Sequence, residues 1–284
     1  MRVSPPRVFP IATAAAKPPS EAAGSADAYR QTSFVLAEEV DKVVAGLNLE
    51  GAAATATAGS KFRSQVTAAA MGLWSRSWLS RLQALHAVQW GNYGPAVTLV
   101  RSAVDFQAGM LYLLQTGAAE WQEWLDSGAI SIAAEQHATE FRLHAFRAAE
   151  IMAVHPVLGP IYRLAMDLSL PHFGSTLLLV GSGSAPDHVE MTFGDRDFHV
   201  GLAELTLGWL LELGRAQLAA IAEHPSIFGQ PDGEEATGWS GASEKMAQRA
   251  DRCRVEITEV AGGRRYLVHN WRREPRSASR RILL

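Results

Sequence analysis

Residues 94–117, GPAVTLVRSAVDFQAGMLYLLQTG, decide the fold of this chain. At the helical spacing of about 100° per residue, their apolar side chains form two adjacent stripes. The first stripe contains Val97, Val100, Val104, Ala108 and Leu111, and the second contains Leu99, Ala103, Phe106, Met110 and Leu113. Together the stripes cover about two-thirds of the circumference, more than a surface helix usually shows. The pattern therefore predicts a central helix packed against several neighbours.

A narrow polar arc remains on this helix. Its members are Thr98, Arg101, Ser102, Asp105, Gly109 and Tyr112. Arg101 and Asp105 are four residues apart, so they face the same side of the helix. Because this is the helix's only polar side, we expect any chemistry of the central helix to lie there.

The composition indicates a globular protein. The chain has 284 residues, of which 48% are hydrophobic, enough for a sizeable core. Its single cysteine, Cys253, excludes an internal disulfide and a thiolate metal cluster. No run approaches the roughly 18 apolar residues of a membrane span, and prolines interrupt the weakly signal-like N-terminus. We expect a cytoplasmic protein without a membrane partner.

Helical periodicity dominates the chain from residue 25 to residue 225. It runs through residues 28–47, 60–90, 94–117, 131–154, 161–170 and 197–223. The small-residue stretch that follows residue 47 predicts a loop, as does the glycine- and proline-rich stretch 171–198. The predicted fold class is all-α, a multi-helix bundle of about six to seven helices with a C-terminal β-hairpin appendage.

The segments outside the bundle have different compositions. Residues 1–24 are rich in proline and alanine and predict a disordered N-terminal tail. Residues 226–248 are polar and predict a linker. In residues 249–284, RVEITEV and RRYLVHN alternate with period two around Ala-Gly-Gly, which predicts a β-hairpin. A lone hairpin is marginal in water, so we expect it to lie on the bundle or on a partner.

Charge is distributed unevenly along the chain. Residues 249–284 carry ten arginines against four acids, a charge of +6, whereas the whole chain has a net charge of −3 and the part before this segment therefore −9. This asymmetry suggests a basic tail that docks on its own acidic body, on an acidic protein surface, or on RNA.

A candidate catalytic group occurs at the end of the helix predicted for residues 161–170. Arg163, Ser169, His172 and Ser175 cluster there, and a histidine beside a helix C-terminus is favoured in its charged form. His172 can then serve as a general acid or base if Arg101 or Arg163 neutralises a phosphate. The alternative is a histidine that only caps the helix. His188 and His199 have no evident partner in the sequence.

Two other patterns have some features of functional sites. His137, Glu140 and His144 can share one helix face, as metal ligands do, but the known two-histidine and di-iron motifs are absent and an exposed polar face explains the spacing. The GSGSAP segment at residues 181–186 lacks the third glycine and the lysine of phosphate-binding loops, and it does not match a serine nucleophile elbow. We therefore predict no metal and no cofactor.

The chain resembles the helical proteins related to HEPN and abortive-infection domains over roughly residues 80–220. LQALHAVQWGNYGPAVTLVRSAVDFQAGMLYLL, WQEWLDSG and YRLAMDLSLPHFGS carry the resemblance. The family shows Arg-x-x-x-Glu on a helix and a later Ser-x-x-His. Arg101 matches the arginine, Asp105 replaces the glutamate, and Ser169 and His172 match the second motif.

The resemblance implies a bundle and leaves two functions open. The first is a non-enzymatic HEPN-like protein that acts by binding or homo-oligomerisation, in stress or phage defence. The alternative is an RNA-cleaving or nucleotide-binding enzyme with Arg101, Asp105, Arg163 and His172 in one pocket. Nuclease members of the family carry Arg-x4-6-His on a helix; here the spacing between Arg163 and His172 is longer, and Arg264 to His269 falls on a predicted strand.

Overall fold

The computed structural model is mostly helical, with a small antiparallel sheet at the C-terminal end. It describes residues 7–9, 11–59, 65–116, 147–171, 173–181, 184, 187–277 and 281–283. Within these residues there are nine helices: α1 (Ala23–Val35), α2 (Ala37–Gly59), α3 (Gln65–Gln89), α4 (Tyr93–Thr116), α5 (Ala148–Val154), α6 (Leu158–Ser169), α7 (Phe173–Val180), α8 (Val200–Glu223) and α9 (Gly233–Ala247). The strands are β1 (Arg254–Val260), β2 (Gly263–His269) and β3 (Ile282–Leu283).

Helix α4 is central, as its two apolar stripes predict. It packs on α3, α5, α6 and α8, and most of its apolar side chains are buried. The turn before it places α3 and α4 side by side, and Pro95 lies in the first turn, where no N–H is needed. Gly109 and Tyr112, which we expected on the polar arc, are buried. The polar side of α4 is therefore narrower than the sequence indicates.

The predicted helix count is too low because the first predicted helix is divided in two and because α7 and α9 form where a loop and a linker were predicted; a further predicted loop is helical without adding a helix. Helix α2 continues through the alanine-rich residues to Gly59, since alanine favours helix and no proline interrupts it. The apolar piece at residues 177–180 belongs to α7. In addition, the chain breaks at Leu36, between α1 and α2, where we predicted one continuous helix.

The linker predicted for residues 226–248 is wrong, because most of it forms α9. The Asp232 side chain caps this helix by accepting from the N–H groups of residues 234 and 235, at 3.0 and 2.9 Å. Trp239 is buried and donates from Nε1 to the Lys42 carbonyl at 2.8 Å. Its ring occupies the space over Gly46, where a Cβ would lie 2.2 Å from the ring. Helix α9 is thus part of the bundle.

Part of the predicted disordered tail is ordered against the bundle. Ala12 N–H donates to the Asn48 side chain at 2.9 Å, and Ala15 N–H donates to the Gln89 side chain at 2.7 Å. Trp90 Nε1 donates to a main-chain carbonyl of the same segment, that of residue 16, at 2.9 Å. Polar side chains on α2 and α3 thus replace the hydrogen bonds that this extended segment would otherwise make with water.

The predicted hairpin is confirmed. Strands β1 and β2 pair antiparallel, with Val255 opposite Val268 and Ile257 opposite Tyr266, and β3 adds a short third strand beside β2. Gly262 and Gly263 at the turn have positive φ. Val268 and Trp271 are buried, so the sheet lies on the bundle. Among the described residues, no helix combines the length and hydrophobicity needed to cross a membrane.

Candidate functional site

The four residues proposed from the sequence as catalytic are not all described. Arg101 and Asp105 are half-buried on α4, where burial raises the pKa of the Asp105 carboxyl and the Arg101 charge opposes that rise. Arg163 is exposed on α6, and its charge acts on Tyr266 of the sheet. His172 lies outside the described residues, so the four-residue pocket stays a prediction.

The other histidine cluster is likewise not covered. His137, Glu140 and His144 lie outside the described part of the chain. Within the part that is described, no group of three or more His, Cys, Asp or Glu side chains is placed to hold a metal ion.

Part of the basic segment docks on the acidic body of the same chain. Arg252, of which 1% is exposed, donates to Glu39 Oε1 at 2.9 Å and to the Glu204 carbonyl at 2.8 Å. Arg272 donates to Glu204 Oε1 at 3.0 Å, and Cys253 N–H donates to Glu204 Oε2 at 2.8 Å. We call this set, together with the Arg273–Asp195 pair described below, the C-terminal interface.

Burial dominates the ionisation of the C-terminal interface. It raises the pKa of Glu204, although the Cys253 N–H and the nearby arginines oppose the rise, and it lowers the pKa of Arg252. It also raises the pKa of the Cys253 thiol to about 12, so this thiol is not a nucleophile near neutrality. These residues therefore hold the sheet in place. Arg254, Arg265, Arg276 and Arg281 of the same segment are exposed, and RNA or an acidic protein as their partner stays a prediction.

A cleft of about 260 Å³ opens where the starts of α4 and α8 meet the C-terminal half of α7. We call it the α4–α8 cleft. It is lined by residues 91–95, 178–180 and 194–197 together with His199, Leu202 and Arg273. Gly91 has φ +73°, and a Cβ there would lie 2.1 Å from the Arg196 carbonyl oxygen. The glycine in the turn before α4 thus lets the 194–197 loop close one side of the cleft.

His199 is a buried, neutral hydrogen-bond donor at the cleft. It is 4% exposed, and its ring packs on Trp271 at 4.9 Å and near Tyr93 at 6.4 Å between centroids. Nδ1 accepts from Leu202 N–H at 3.1 Å and so caps α8, which places the hydrogen on Nε2. No described residue hydrogen-bonds Nε2. Burial and then the Arg273 charge lower the pKa of His199 to about 4.

Tyr93 lies beside this histidine. Its hydroxyl oxygen accepts a hydrogen bond from the main-chain N–H of His199 at 2.9 Å. Burial raises the pKa of Tyr93 well above its usual value of 10.0. Neither Tyr93 nor His199 therefore exchanges a proton readily near neutral pH, and both serve as fixed hydrogen-bonding groups.

Arg273 supplies positive charge to the α4–α8 cleft. Its Nη2 donates to Asp195 Oδ2 at 3.1 Å, while Asp195 Oδ1 accepts from Asp197 N–H at 2.9 Å. The Nε of Arg273 is buried without a hydrogen-bond partner. The carbonyl of Arg273 accepts from Val200 N–H at 3.3 Å, so the C-terminal segment also completes the cap of α8.

The remaining lining of the cleft includes an apolar wall. Leu178, Leu179 and Val180 of α7, Leu202 of α8 and Pro95 of α4 form it. The site thus combines an apolar wall with hydrogen-bond donors, and this arrangement is suited to holding a small amphipathic molecule.

Sequence reasoning missed the three polar residues of this cleft. The sequence shows no evident partner for His199. A histidine directly before an apolar helix can nevertheless accept a hydrogen bond from a main-chain N–H of the first turn, as His199 Nδ1 does here. Tyr93 belongs to GNYGP at residues 91–95, whose glycines and proline predict only a break between two helices. Arg273 was counted among the basic tail residues. Their proximity depends on how the C-terminal segment folds back, for which the sequence has no local signal. None of Arg101, Asp105 and Arg163 lines the cleft.

Comparison of the chain with known protein families, with curated proteins and with solved structures finds no match. The resemblance to HEPN-related proteins is not tested by these comparisons and stays a prediction. Function therefore has to be inferred from the geometry of the site.

Proposed function

We propose that this protein acts by binding a small molecule in the α4–α8 cleft, without catalysing its conversion. One observation carries the proposal: two residues with hydrogen-bond donors, His199 and Arg273, and the apolar C-terminal half of α7 line the same 260 Å³ space. Ligand sites typically combine mostly apolar lining with a few placed polar groups, in volumes of roughly 300–1,000 Å³. The cleft lies just below that range, so its ligand is small.

Binding without catalysis follows from the ionisation of the lining groups. A general acid or base works best with a pKa near the operating pH. His199, with its pKa lowered to about 4, and Tyr93, with its pKa raised by burial, are both far from neutrality. Both side chains instead keep the same protonation state, and therefore the same hydrogen-bonding atoms, across the neutral pH range.

This proposal develops the first of the two functions predicted from the sequence, a non-enzymatic helical protein that acts by binding. The resemblance to HEPN-related proteins, homo-oligomerisation and a role in stress or phage defence remain expectations from the sequence. The RNA-cleaving alternative, with Arg101, Asp105, Arg163 and His172, also stays a prediction.

A fragment screen by ligand-observed NMR tests the binding site. Leu179→Trp should fill the cleft because Leu179 is half-buried in its wall. Leu79→Trp is the matched control, since Leu79 is 46% exposed on α3 and does not line the cleft. We expect fragments that bind the unmodified protein to lose binding to the Leu179 variant and to keep it with the Leu79 variant. Equal binding to both variants, or no binding fragment at all, would refute the proposal.

A further inference from the structure

We infer that the ligand of the α4–α8 cleft is a small carboxylate with an apolar tail, an inference that rests on the proposed function above. The cleft is lined by the donor side chains of His199 and Arg273 and by hydrocarbon side chains of α7 and α8. A carboxylate has only acceptor atoms when ionised, so it matches such a set of donors.

The donors come from three different parts of the chain. His199 presents Nε2–H from a side chain that is 4% exposed and already anchored through Nδ1. Arg273 uses Nη2 for Asp195, and because its side chain is 34% exposed, Nη1 remains for a ligand. The main-chain N–H groups of Tyr93 and Gly94 begin α4 and therefore have no acceptor within the helix. The start of this 24-residue helix also favours negative charge.

The carboxylate of Asp195 and the first N–H groups of α8 are already used. Asp195 accepts from Arg273 and from Asp197 N–H, and the first N–H groups of α8 are occupied by His199 and by the carbonyls of residues 272 and 273. At the rim, the exposed positive charge of Arg196 and the exposed negative charge of Asp197 offset each other. An anionic ligand can share Arg273 with Asp195.

The apolar wall limits the rest of the molecule. Leu178, Leu179 and Leu202 provide aliphatic surface but no hydrogen-bonding side chains. Hydroxyl groups along the tail would lose their hydrogen bonds to water without replacement there. A short, unsubstituted hydrocarbon tail fits this wall and the volume of about 260 Å³.

Hexanoate and hexanamide are a suitable pair of probes, because they share a tail and differ in the charge of the head group. NMR titration of the full chain should show hexanoate binding at least tenfold more tightly than hexanamide, since a hydrogen bond to a charged group contributes more than a neutral one. Arg273→Gln should weaken hexanoate binding about tenfold or more and leave hexanamide nearly unchanged. Arg276→Gln, an exposed arginine of the same segment, should change neither.

A second variant excludes misfolding as the explanation. Asp195→Asn removes the charge that competes for Arg273 and keeps an oxygen for Asp197 N–H. It should strengthen hexanoate binding several-fold, an effect that loss of structure cannot produce.

The outcomes separate the two proposals. If hexanamide binds as tightly as hexanoate, or Arg273→Gln weakens both equally, the carboxylate inference is wrong; loss of both in Leu179→Trp would then still support small-molecule binding in the cleft. If neither probe binds and the fragment screen also finds no ligand, both proposals are wrong.

Discussion

Two sets of buried ion pairs stabilise different parts of this protein, and they differ in how completely their hydrogen bonds are used. Between α2 and α3, Arg81 donates to both carboxylate oxygens of Glu50 at 2.6 and 2.5 Å, and Trp74 Nε1 donates to the same carboxylate at 2.9 Å. The two side chains of the pair are 1% and 0% exposed. Arg81 Nε also reaches the Ser77 carbonyl, at 3.4 Å. Both side chains of this pair are buried, and their charged groups are hydrogen-bonded within the protein.

The C-terminal interface opens progressively toward the α4–α8 cleft. The exposure of its arginine side chains rises from 1% at Arg252 to 11% at Arg272 and 34% at Arg273. The Nε atoms of Arg272 and Arg273 are buried without partners. A fully buried and fully bonded pair can only hold the fold, whereas Arg273 is partly exposed and lines a cleft. The second region is therefore the one where we place the ligand.

Removing one partner of the Arg81–Glu50 pair should have the largest effect on stability. Arg81→Ala leaves the Glu50 charge buried, which should lower the free energy of unfolding by about 3–5 kcal/mol. Urea denaturation measures the change. The exposed pair Arg30–Asp27 is the control, and Arg30→Ala should cost less than about 0.5 kcal/mol. The double variant Glu50→Gln with Arg81→Met should lose less than the single variant, since it leaves no unpaired charge; an equal or larger loss would contradict this account.

Lowering the pH should destabilise the C-terminal interface through His199. Its pKa falls from 6.5 to about 4 on folding, so between these values the unfolded chain binds a proton that the folded chain does not. Stability is thus complete above about pH 6.5 and decreases as the pH falls toward 4, by up to about 3 kcal/mol.

Chemical denaturation at pH 7 and pH 4.5 tests this effect with two variants. His199→Asn keeps an acceptor for Leu202 N–H but cannot be protonated, so its stability should decrease less between these pH values. His188→Asn changes an exposed histidine and should behave like the unmodified protein. The same pH dependence in all three proteins would show that His199 does not stay neutral in the fold.

Arg252→Ala should lower the free energy of unfolding by about 2 kcal/mol, which is less than Arg81→Ala, although both arginines are 1% exposed. Arg249 lies 3.9 Å from Glu39 and can partly replace the lost charge. The loss should also be local: hydrogen exchange should accelerate in β1 and β2 and stay slow in α4. If α4 exchanges equally fast, the sheet and the bundle unfold together, and the contrast between the two regions disappears.

Arg272→Ala should cause the smallest decrease in the free energy of unfolding, about 1 kcal/mol. Glu204 keeps its bond from Cys253 N–H, and burial already raises its pKa, so it can take up a proton when the arginine is removed. The cost should therefore decrease further as the pH is lowered, because the carboxyl is then more often neutral. Denaturation at two pH values compares the variant with the unmodified protein, and a cost that grows at low pH would be inconsistent with this mechanism.

Much of the fold was predictable because its signals are local. The apolar stripes of α4, the period-two alternation of β1 and β2 and the glycines between them each depend on neighbouring residues. The errors concern segments whose state depends on distant contacts. The composition of residues 226–248 is that of a linker, but in the structure Trp239 packs over Gly46. The composition of residues 12–16 is that of a free tail, but in the structure the side chains of Asn48 and Gln89 hydrogen-bond its main chain.

By itself the sequence determined that the chain forms a mainly helical bundle around residues 94–117 and ends in a basic hairpin, because residue periodicity dictates which faces must be buried. Only the tertiary structure decided which residues line the cleft where we propose that a ligand binds. Tyr93, His199 and Arg273 are separated by more than seventy residues at each step along the chain. They meet because the C-terminal segment folds back to cap α8 with its carbonyls. Such a long-range meeting depends on the packing of whole elements, and local residue patterns do not encode it.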